Sequence, residues 1–355
     1  MPKILHTADL RLGAKFLGLG RAGDKVRAQL KRSWTAVIET AIAEKVDAVI
    51  VAGGLFDSSE VSRPAIEFIL KEIARLGKVP VVMVPGMCDH LGKGSLYYHF
   101  DLIERPENLF VIVTPNETLK LKELNLAVIG CPAFGPKSKE SPLSGVRAPK
   151  DGFSVIVAAG TWHGDNHPIS ESEIAKTGAH YVALGGEPSF KSGVGGEITY
   201  AFSGPPEATS FSVSGAAGIV IVDLAKKPVT AEFQPLGVLV WKQETASSVE
   251  SLKNLLERER GENRLLQGRL TGEHQTGFFE LDETIKGFKD QFLFLNIKDE
   301  RKFTADKAQF PLQTVAGQFI HLVEENLKKS RPEEKEFYQE VLSLGTSLAS
   351  PISKE

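Results

Sequence analysis

Residues 46–57 read VDAVIVAGGLFD. Apart from Asp47, the first seven are apolar and partly β-branched, which is typical of a buried strand, and a glycine pair then ends the run in a loop. A strand-like run at 3–7 (KILHT) that leads into residues 6–13 (HTADLRLG), and residues 79–90 (VPVVMVPGMCDH), have the same form. Apolar residues at helical spacing fill the segments between them, over 24–45 and 63–76. Strands that alternate with helices of these lengths predict a mainly parallel sheet with right-handed crossovers.

The pattern changes in the following segments, where strands are short. Turn-separated runs at 110–113, 118–121 and 126–130 are typical of antiparallel strands. Residues 136–151 are rich in Pro, Ser, Gly and Lys, which predicts a surface excursion. Further strands are predicted at 154–159, 181–184, 198–202, 218–223 and 230–234, and a helix over 170–177. Together these elements predict an α/β domain built as a two-sheet sandwich flanked by helices.

The segment after residue 240 predicts a second, smaller domain. Helices at 248–260 and 282–290 each precede a strand, at 265–271 and 292–297. Two further helices, at 312–327 and 332–344, close the chain. We therefore predict a domain over 1–240, a small α/β domain over 241–305 and a helical segment over 306–355.

Composition bounds the function. The 355 residues are enough for two domains, and the formal net charge of −3 argues against wholesale wrapping of nucleic acid, although not against a local basic patch. Two cysteines, Cys88 and Cys131, are too few for a disulfide framework. No apolar run reaches about 18 residues and the N-terminus has no signal-peptide pattern, so we expect a cytoplasmic protein without membrane contacts.

Five short loops follow strand-like runs and should meet at one edge of the sheets. They are Asp9-Leu10-Arg11, 53–57, 86–89, His163-Gly164 and 185–188. Their order, spacing and flanking strands resemble the calcineurin-like metallophosphoesterases, and most closely the SbcD-type DNA-repair nucleases. The runs YVALGG (181–186) and FSGPPEATSF (202–211) add to this resemblance, which covers roughly residues 1–240. It implies a two-sheet phosphoesterase core, with 241–305 as a small α/β capping domain.

In the resembling family the five loops read Asp-x-His, Gly-Asp-x-x-Asp, Gly-Asn-His-Asp, His-Gly and Gly-His-x-His, and they hold two metal ions. In the first two loops of this chain, Asp9 is retained, Arg11 stands at the histidine and Gly54 stands at the bridging aspartate. Asp57 matches the second aspartate of its motif, which is usually structural in the family. Arginine replaces a neutral ligand by a permanent cation.

The remaining loops depart in the same way. Met87 stands at the asparagine and Cys88 at the histidine of the third loop, while Asp89 is retained. His163 is the match for the fourth loop's histidine. In the fifth loop Gly186 and Pro188 stand at the two histidines.

At most Asp9 and His163 therefore remain as metal ligands, from the seven that the resemblance implies. One carboxylate and one imidazole cannot balance two dications, so we expect no metal, no cofactor and no catalytic residues at this vestigial pocket. Gly54 and Gly186 are predicted to let the loops collapse into the vacated space.

A basic segment follows the first loop. Residues 11–32 carry seven basic side chains against one acid, Asp24. One interpretation is a solvated helix face with a mobile loop. The other is a surface that follows a DNA phosphate backbone. The candidate contacts are Arg11, Lys15, Arg21, Lys25 and Arg27.

The C-terminal helices carry apolar stripes, which either pack on their own domain or dock a partner. The resemblance implies that such helices hold an SbcC-type ATPase, and homodimerisation stays open. Our preferred hypothesis is a degenerate SbcD-like DNA-repair protein that has lost the two-metal nuclease activity and acts as a DNA-binding or ATPase-partnering subunit. The alternatives are a one-metal, manganese-dependent phosphodiesterase using Asp9, His163 and Cys88 or Asp89, and a structural partner of an active paralogue without DNA contact.

Overall fold

The computed structural model describes residues 2–98, 104–274, 279–303 and 310–349. The chain forms two compact units, Met1–Leu239 and Val240–Glu355. The first unit ends beside the predicted boundary at 240, whereas the boundary predicted between 305 and 306 lies outside the described residues. Within the described ranges, no helix combines the length and apolar character needed to span a bilayer.

The first unit contains fourteen described strands and three described α-helices. The strands are β1 (Lys3–Thr7), β2 (Ala48–Ala52), β3 (Val81–Val84), β4 (Leu109–Val111), β5 (Glu117–Leu121), β6 (Leu126–Cys131), β7 (Phe153–Ala159), β8 (Thr161–Trp162), β9 (Pro168–Ile169), β10 (Tyr181–Gly185), β11 (Lys191–Gly195), β12 (Ile198–Phe202), β13 (Gly218–Asp223) and β14 (Thr230–Pro235). The helices are α1 (Ala22–Ala43), α2 (Arg63–Ala74) and α3 (Glu171–Thr177).

These strands form two six-stranded mixed sheets that pack face to face. The first sheet has the order β14-β13-β1-β2-β3-β4, and the second has the order β11-β12-β10-β7-β6-β5. The core between them includes Ile4, Val82, Val155 and Tyr181. The two outer faces are covered by helices, with Trp34 of α1 buried against the first sheet and Ile174 of α3 against the second. The predicted α/β sandwich is confirmed.

One detail of the predicted topology is wrong. Only β5 and β6 of the three short strands pair antiparallel with each other, whereas β4 runs parallel to β3 and β6 runs parallel to β7. The connections that precede β4 and β7 are long enough for the crossover that parallel neighbours require. The predicted surface excursion also packs, because Leu143 and Val146 are buried against the second sheet.

The second unit is a small α/β arrangement. Its strands are β15 (Val240–Ala246), β16 (Gly261–Leu270), β17 (Glu273–His274), β18 (Phe292–Asp299) and β19 (Lys302–Phe303), and its helices are α4 (Val249–Glu259), α5 (Phe279–Phe288), α6 (Val315–Lys329) and α7 (Lys335–Ala349). β15, β16 and β18 form a parallel sheet. Leu256 of α4 is buried with Leu266 of the sheet, and α6 packs on α7 through Ile320 and Leu342.

Candidate functional site

The ends of five strands bring the loops together. β1, β2 and β3 run in register in the first sheet, and Ala159 at the end of β7 pairs with Gly185 at the end of β10 in the second. Backbone hydrogen bonds join the first two loops, from Asp9 N to the Gly53 carbonyl (3.0 Å) and from Arg11 N to the Gly54 carbonyl (2.9 Å). The loops therefore meet at the carboxyl ends of the strands, where α/β sheets bind their ligands.

Two glycines at this junction allow a close approach of the loops. At Gly54 (φ +65°) a Cβ atom would lie 2.9 Å from Asp9 Cα and would overlap the Asp9 carboxylate. At Gly186 (φ +101°) it would lie 2.6 Å from Met87 Cε and from the Gly160 carbonyl oxygen. Gly54 and Gly186 stand where the family has its bridging aspartate and one histidine. The space that those side chains would enter is thus taken up by neighbouring groups of this chain.

Gly54→Ala is expected to destabilise the fold more than a glycine substitution without a neighbour. Gly77 is the matched control, because its φ is +60° and a Cβ there meets nothing within 4 Å. Both alanines are strained by the left-handed backbone, so the difference reports the contact with Asp9. We expect Gly54→Ala to lower the free energy of unfolding by about 1–2 kcal/mol more than Gly77→Ala. Urea unfolding followed by circular dichroism measures it, and equal losses would contradict the close approach.

The loops do not close the pocket completely. A cavity of about 340 Å³ remains beside them. Its wall contains Asp9, Arg11, Asp57, Gly186, Glu187, Pro188, Thr209, Ser210 and Ser212, together with apolar residues that include Phe16. Full collapse of the pocket, which the glycines predicted, is therefore wrong. The loops are in close contact at Gly54 and Gly186, and the polar cavity lies beside this contact.

Asp89 fastens the second loop to the third. It is fully buried. Oδ1 accepts hydrogen bonds from Gly54 N and Gly86 N, both at 2.9 Å. Oδ2 accepts from Phe56 N (3.2 Å) and from the Tyr97 hydroxyl (2.6 Å). Because its two oxygens accept four hydrogen bonds, the Asp89 carboxylate holds the loops in place and is not available as a metal ligand.

Cys88, which precedes Asp89 in the third loop, and Arg11 of the first loop do not replace the missing metal ligands. Burial raises the pKa of the Cys88 thiol to about 11, against the opposing charge of Arg11. Among the described residues, Cys88 belongs to no group of three or more His, Cys, Asp or Glu side chains that could hold a metal ion. The Arg11 guanidinium lies 3.6 Å from Asp57 Oδ1, in a half-exposed ion pair.

His163 lies apart from Asp9 on the protein surface. Its Nε2 is 3.1 Å from Glu171 Oε2, its side chain is 54% exposed, and it does not line the cavity that Asp9 lines. The segment just before the fourth loop contacts the fifth through Gly160, whose carbonyl approaches Gly186, and through Trp162 N, which donates a hydrogen bond to Glu187. The structure therefore does not bring together Asp9 and His163, the pair predicted as the last ligands.

These placements decide whether the family's metal pair fits. Two dications about 3.5–4 Å apart need several anionic or imidazole ligands and a bridging carboxylate. Among the described residues, no group of three or more His, Cys, Asp or Glu side chains could hold a metal ion. The donor set of this chain does not fit a two-metal centre.

Burial acts strongly on Asp9. Its side chain is 9% exposed, and burial raises its pKa from 3.8 to about 6, although Gly186 N donates a hydrogen bond to Oδ2 at 2.6 Å and Arg11 lies nearby. Asp89 and Glu187 raise the pKa of Asp9 further. The carboxylate of Asp9 is thus held in a site where its charge is poorly compensated.

Sequence reasoning missed two acids near this site. Glu187 lines the cavity, and its Oε1 accepts a hydrogen bond from Trp162 N at 2.9 Å. Glu207 is fully buried and accepts from Ser33 Oγ (3.0 Å) and Leu239 N (2.9 Å), which ties the cavity wall to α1 and to the end of the first unit. Glu207 lies in the run FSGPPEATSF, and that run was the available signal.

Some of the basic side chains of residues 11–32 form contacts within the protein, and others face the solvent. Lys15, Arg21 and Lys25 are exposed. Arg27 forms an ion pair with Asp24 and donates a hydrogen bond to the Lys15 carbonyl at 2.6 Å. Arg11 pairs with Asp57 in the same way. Of the five predicted DNA contacts, Lys15, Arg21 and Lys25 are therefore the cations that face the solvent.

Comparison with known proteins agrees with the site and the fold. Residues 2–144 match the family model of the calcineurin-like phosphoesterases, so the chain carries a calcineurin-like metallophosphoesterase domain. It also has Mre11-like homologues, and its family motifs are degenerate.

The uncharacterized metallophosphoesterase YhaO of Bacillus subtilis is 27% identical over 267 residues, which cover 71% of this chain and 64% of YhaO. The DNA double-strand break repair protein Mre11 of Aeropyrum pernix is 47% identical over 57 residues, 16% of this chain and 13% of that protein. Mre11 of Sulfurisphaera tokodaii is 26% identical over 126 residues, 35% of this chain and 32% of that protein. The chain therefore spans less than two thirds of the length of each of these relatives.

Proposed function

We propose that this protein is an SbcD-like and Mre11-like DNA-repair or DNA-processing protein that has lost the two-metal nuclease activity and acts as a DNA-binding subunit. One observation carries the loss of activity. At Gly54, where the family has its bridging aspartate, the backbone lies so close to Asp9 that a side chain would overlap the Asp9 carboxylate.

Loss of the metal pair removes the chemistry of the family. The two cations clamp the phosphate and generate the hydroxide nucleophile, and the remaining side chains offer no substitute. Cys88 stands at the position of the histidine that assists the leaving group, and burial raises the pKa of its thiol to about 11. The binding role is supported by what remains, namely the exposed cations Lys15, Arg21 and Lys25 and homologues named as DNA-repair proteins.

DNA binding is expected to depend steeply on salt and on the exposed cations. Contacts to phosphates release counterions, so affinity for a duplex should fall as salt rises. The triple variant Lys15→Gln, Arg21→Gln, Lys25→Gln is expected to bind duplex DNA at least tenfold more weakly and with a smaller salt slope. Fluorescence anisotropy with a labelled duplex measures both.

A matched control separates this surface from general charge. Lys78, Lys120 and Lys122 are exposed lysines of the same unit, and their triple glutamine variant removes the same charge. Equal weakening by the two triple variants, or binding that ignores salt, would contradict the proposed surface. Manganese-dependent cleavage of the duplex that is lost on Asp9→Ala would favour the one-metal phosphodiesterase instead.

A second role rests on the C-terminal helices. Leu322 of α6 and Phe337 of α7 are each 62% exposed, although their neighbours Ile320 and Leu342 are buried between the helices. We propose that these exposed apolar residues support docking of an ATPase subunit of the SbcC type. Co-purification of such an ATPase that is lost on Leu322→Lys, but kept on Glu324→Lys, would support the docking; retention with both would contradict it.

A further inference from the structure

The cavity beside the loops is walled by two carboxylates that backbone groups orient. Asp9 Oδ2 accepts a hydrogen bond from Gly186 N at 2.6 Å, and Glu187 Oε1 accepts one from Trp162 N at 2.9 Å. Both acids line the cavity. Among the described residues, no hydrogen bond reaches the second oxygen of either acid, Asp9 Oδ1 or Glu187 Oε2. Each carboxylate thus keeps one oxygen without a hydrogen bond, while a backbone N–H holds the other.

The charge of the cavity wall is negative. Four charged side chains line it, namely Asp9, Arg11, Asp57 and Glu187. The Arg11 guanidinium is paired with Asp57 at 3.6 Å, so these two charges offset each other. Asp9 and Glu187 remain, and Asp9 is 9% exposed, where water screens its charge weakly. The cavity therefore repels an anion and attracts a cation.

The rest of the wall fits an organic cation better than a metal ion. The hydroxyls of Thr209, Ser210 and Ser212 add acceptors, and Phe16 adds an aromatic side chain to the wall. A volume of about 340 Å³ has room for a cationic head group with an alkyl stem. No group of three or more ligating side chains within the described ranges could hold a metal ion.

We infer that this cavity is a binding site for an organic cation, a guanidinium or primary ammonium group held between Asp9 and Glu187. Guanidinium and ammonium N–H groups donate charge-assisted hydrogen bonds to carboxylate oxygens. The site goes beyond the proposed function, because its wall contains none of the exposed cations Lys15, Arg21 and Lys25 proposed to contact DNA, and no residue of the C-terminal helices.

Titration calorimetry with agmatine tests the inference, since agmatine carries a guanidinium at one end and an ammonium at the other. We expect saturable binding to the full chain, weakened about tenfold by Glu187→Gln and by Asp9→Asn. Both substitutions keep the oxygen that accepts the backbone hydrogen bond, so the loops should stay in place; circular dichroism checks the fold. Glu171→Gln is the control, because Glu171 pairs with His163 outside the cavity wall, and its affinity should equal that of the parent.

Two further probes settle which chemistry the site prefers. A short blocked peptide with one arginine, compared with agmatine, distinguishes a partner's side chain from a free amine, and tighter binding of either supports the inference. Binding of neither, equal affinity in all variants, or displacement of agmatine by inorganic phosphate or by Mn²⁺ at equal concentration would overturn it. DNA affinity is measured separately, so failure of this site leaves the DNA surface untouched.

Discussion

Asp89→Asn is expected to lower the free energy of unfolding by about 3–5 kcal/mol. Asp89 is fully buried and accepts four hydrogen bonds, from Gly54 N, Gly86 N, Phe56 N and the Tyr97 hydroxyl. Asparagine places an NH₂ group against donors that need an acceptor, so at least one of them loses its partner. Because these donors belong to the second and third loops, the loss is expected to loosen the junction. Urea unfolding followed by circular dichroism measures it.

Two graded controls accompany this variant. Asp57→Asn removes a carboxylate whose side chain is 40% exposed and whose ion pair with Arg11 spans 3.6 Å, so it should cost less than about 1 kcal/mol. Tyr97→Phe removes one of the four donors and should cost about 1–2 kcal/mol. If Asp89→Asn lowers the free energy of unfolding by no more than Asp57→Asn does, the hydrogen bonds of Asp89 do not hold the loops in place.

Asp9→Asn is expected to stabilise the protein at neutral pH by about 2–3 kcal/mol. Burial raises the pKa of Asp9 from 3.8 to about 6, so the folded protein binds this proton more tightly than the unfolded chain does. As pH rises from about 4 to about 6, the folded state must give up that proton and stability falls. Asparagine has no proton to lose and still accepts the hydrogen bond from Gly186 N.

The pH dependence separates this effect from ordinary packing. Below about pH 4 both states hold the proton, and the stability advantage of Asp9→Asn should disappear. Unfolding curves recorded at several pH values between 3.5 and 7.5 give the difference directly. A loss of stability at neutral pH would show that Gly186 and Arg11 compensate the charge of Asp9. A carboxylate that costs stability is typical of a functional site.

Sequence reasoning located the meeting point of the loops because the rule that governs it is local. Strand-like runs such as 46–52 end in polar or glycine-rich loops, and parallel strands place such loops at one edge. The α/β sandwich followed from the same runs and is confirmed. β15 was missed because its strand, Val240–Ala246, carries four polar residues and has partly exposed side chains, so its apolar signal is weak.

The site was harder to predict because its details depend on register and packing. His163 was chosen as the fourth-loop residue, yet the pairing of Ala159 with Gly185 places Gly160 against the fifth loop. No local pattern fixes that register. Glu187 and Glu207 belong to no motif of ligands, and their roles arise from backbone donors that lie far away in the sequence.

The sequence alone showed that the family's metal ligands are replaced, but it did not show the structural consequence of the replacement. Glycine at positions 54 and 186 predicted that the loops collapse into the vacated space. The structure shows instead that Gly54 packs against Asp9 while an acidic cavity persists beside it. A collapsed pocket would leave no room for a ligand, whereas the cavity of about 340 Å³ does.

Metal analysis of the purified full chain tests the central claim most directly. After incubation with excess Mn²⁺ and gel filtration in metal-free buffer, plasma mass spectrometry should find no stoichiometric manganese, and the same sample should leave duplex DNA uncut. Two manganese ions retained per chain, with cleavage of DNA that Asp9→Ala abolishes, would contradict the account. Such a result would mean that donors of this chain assemble a metal pair in spite of the contact between Gly54 and Asp9.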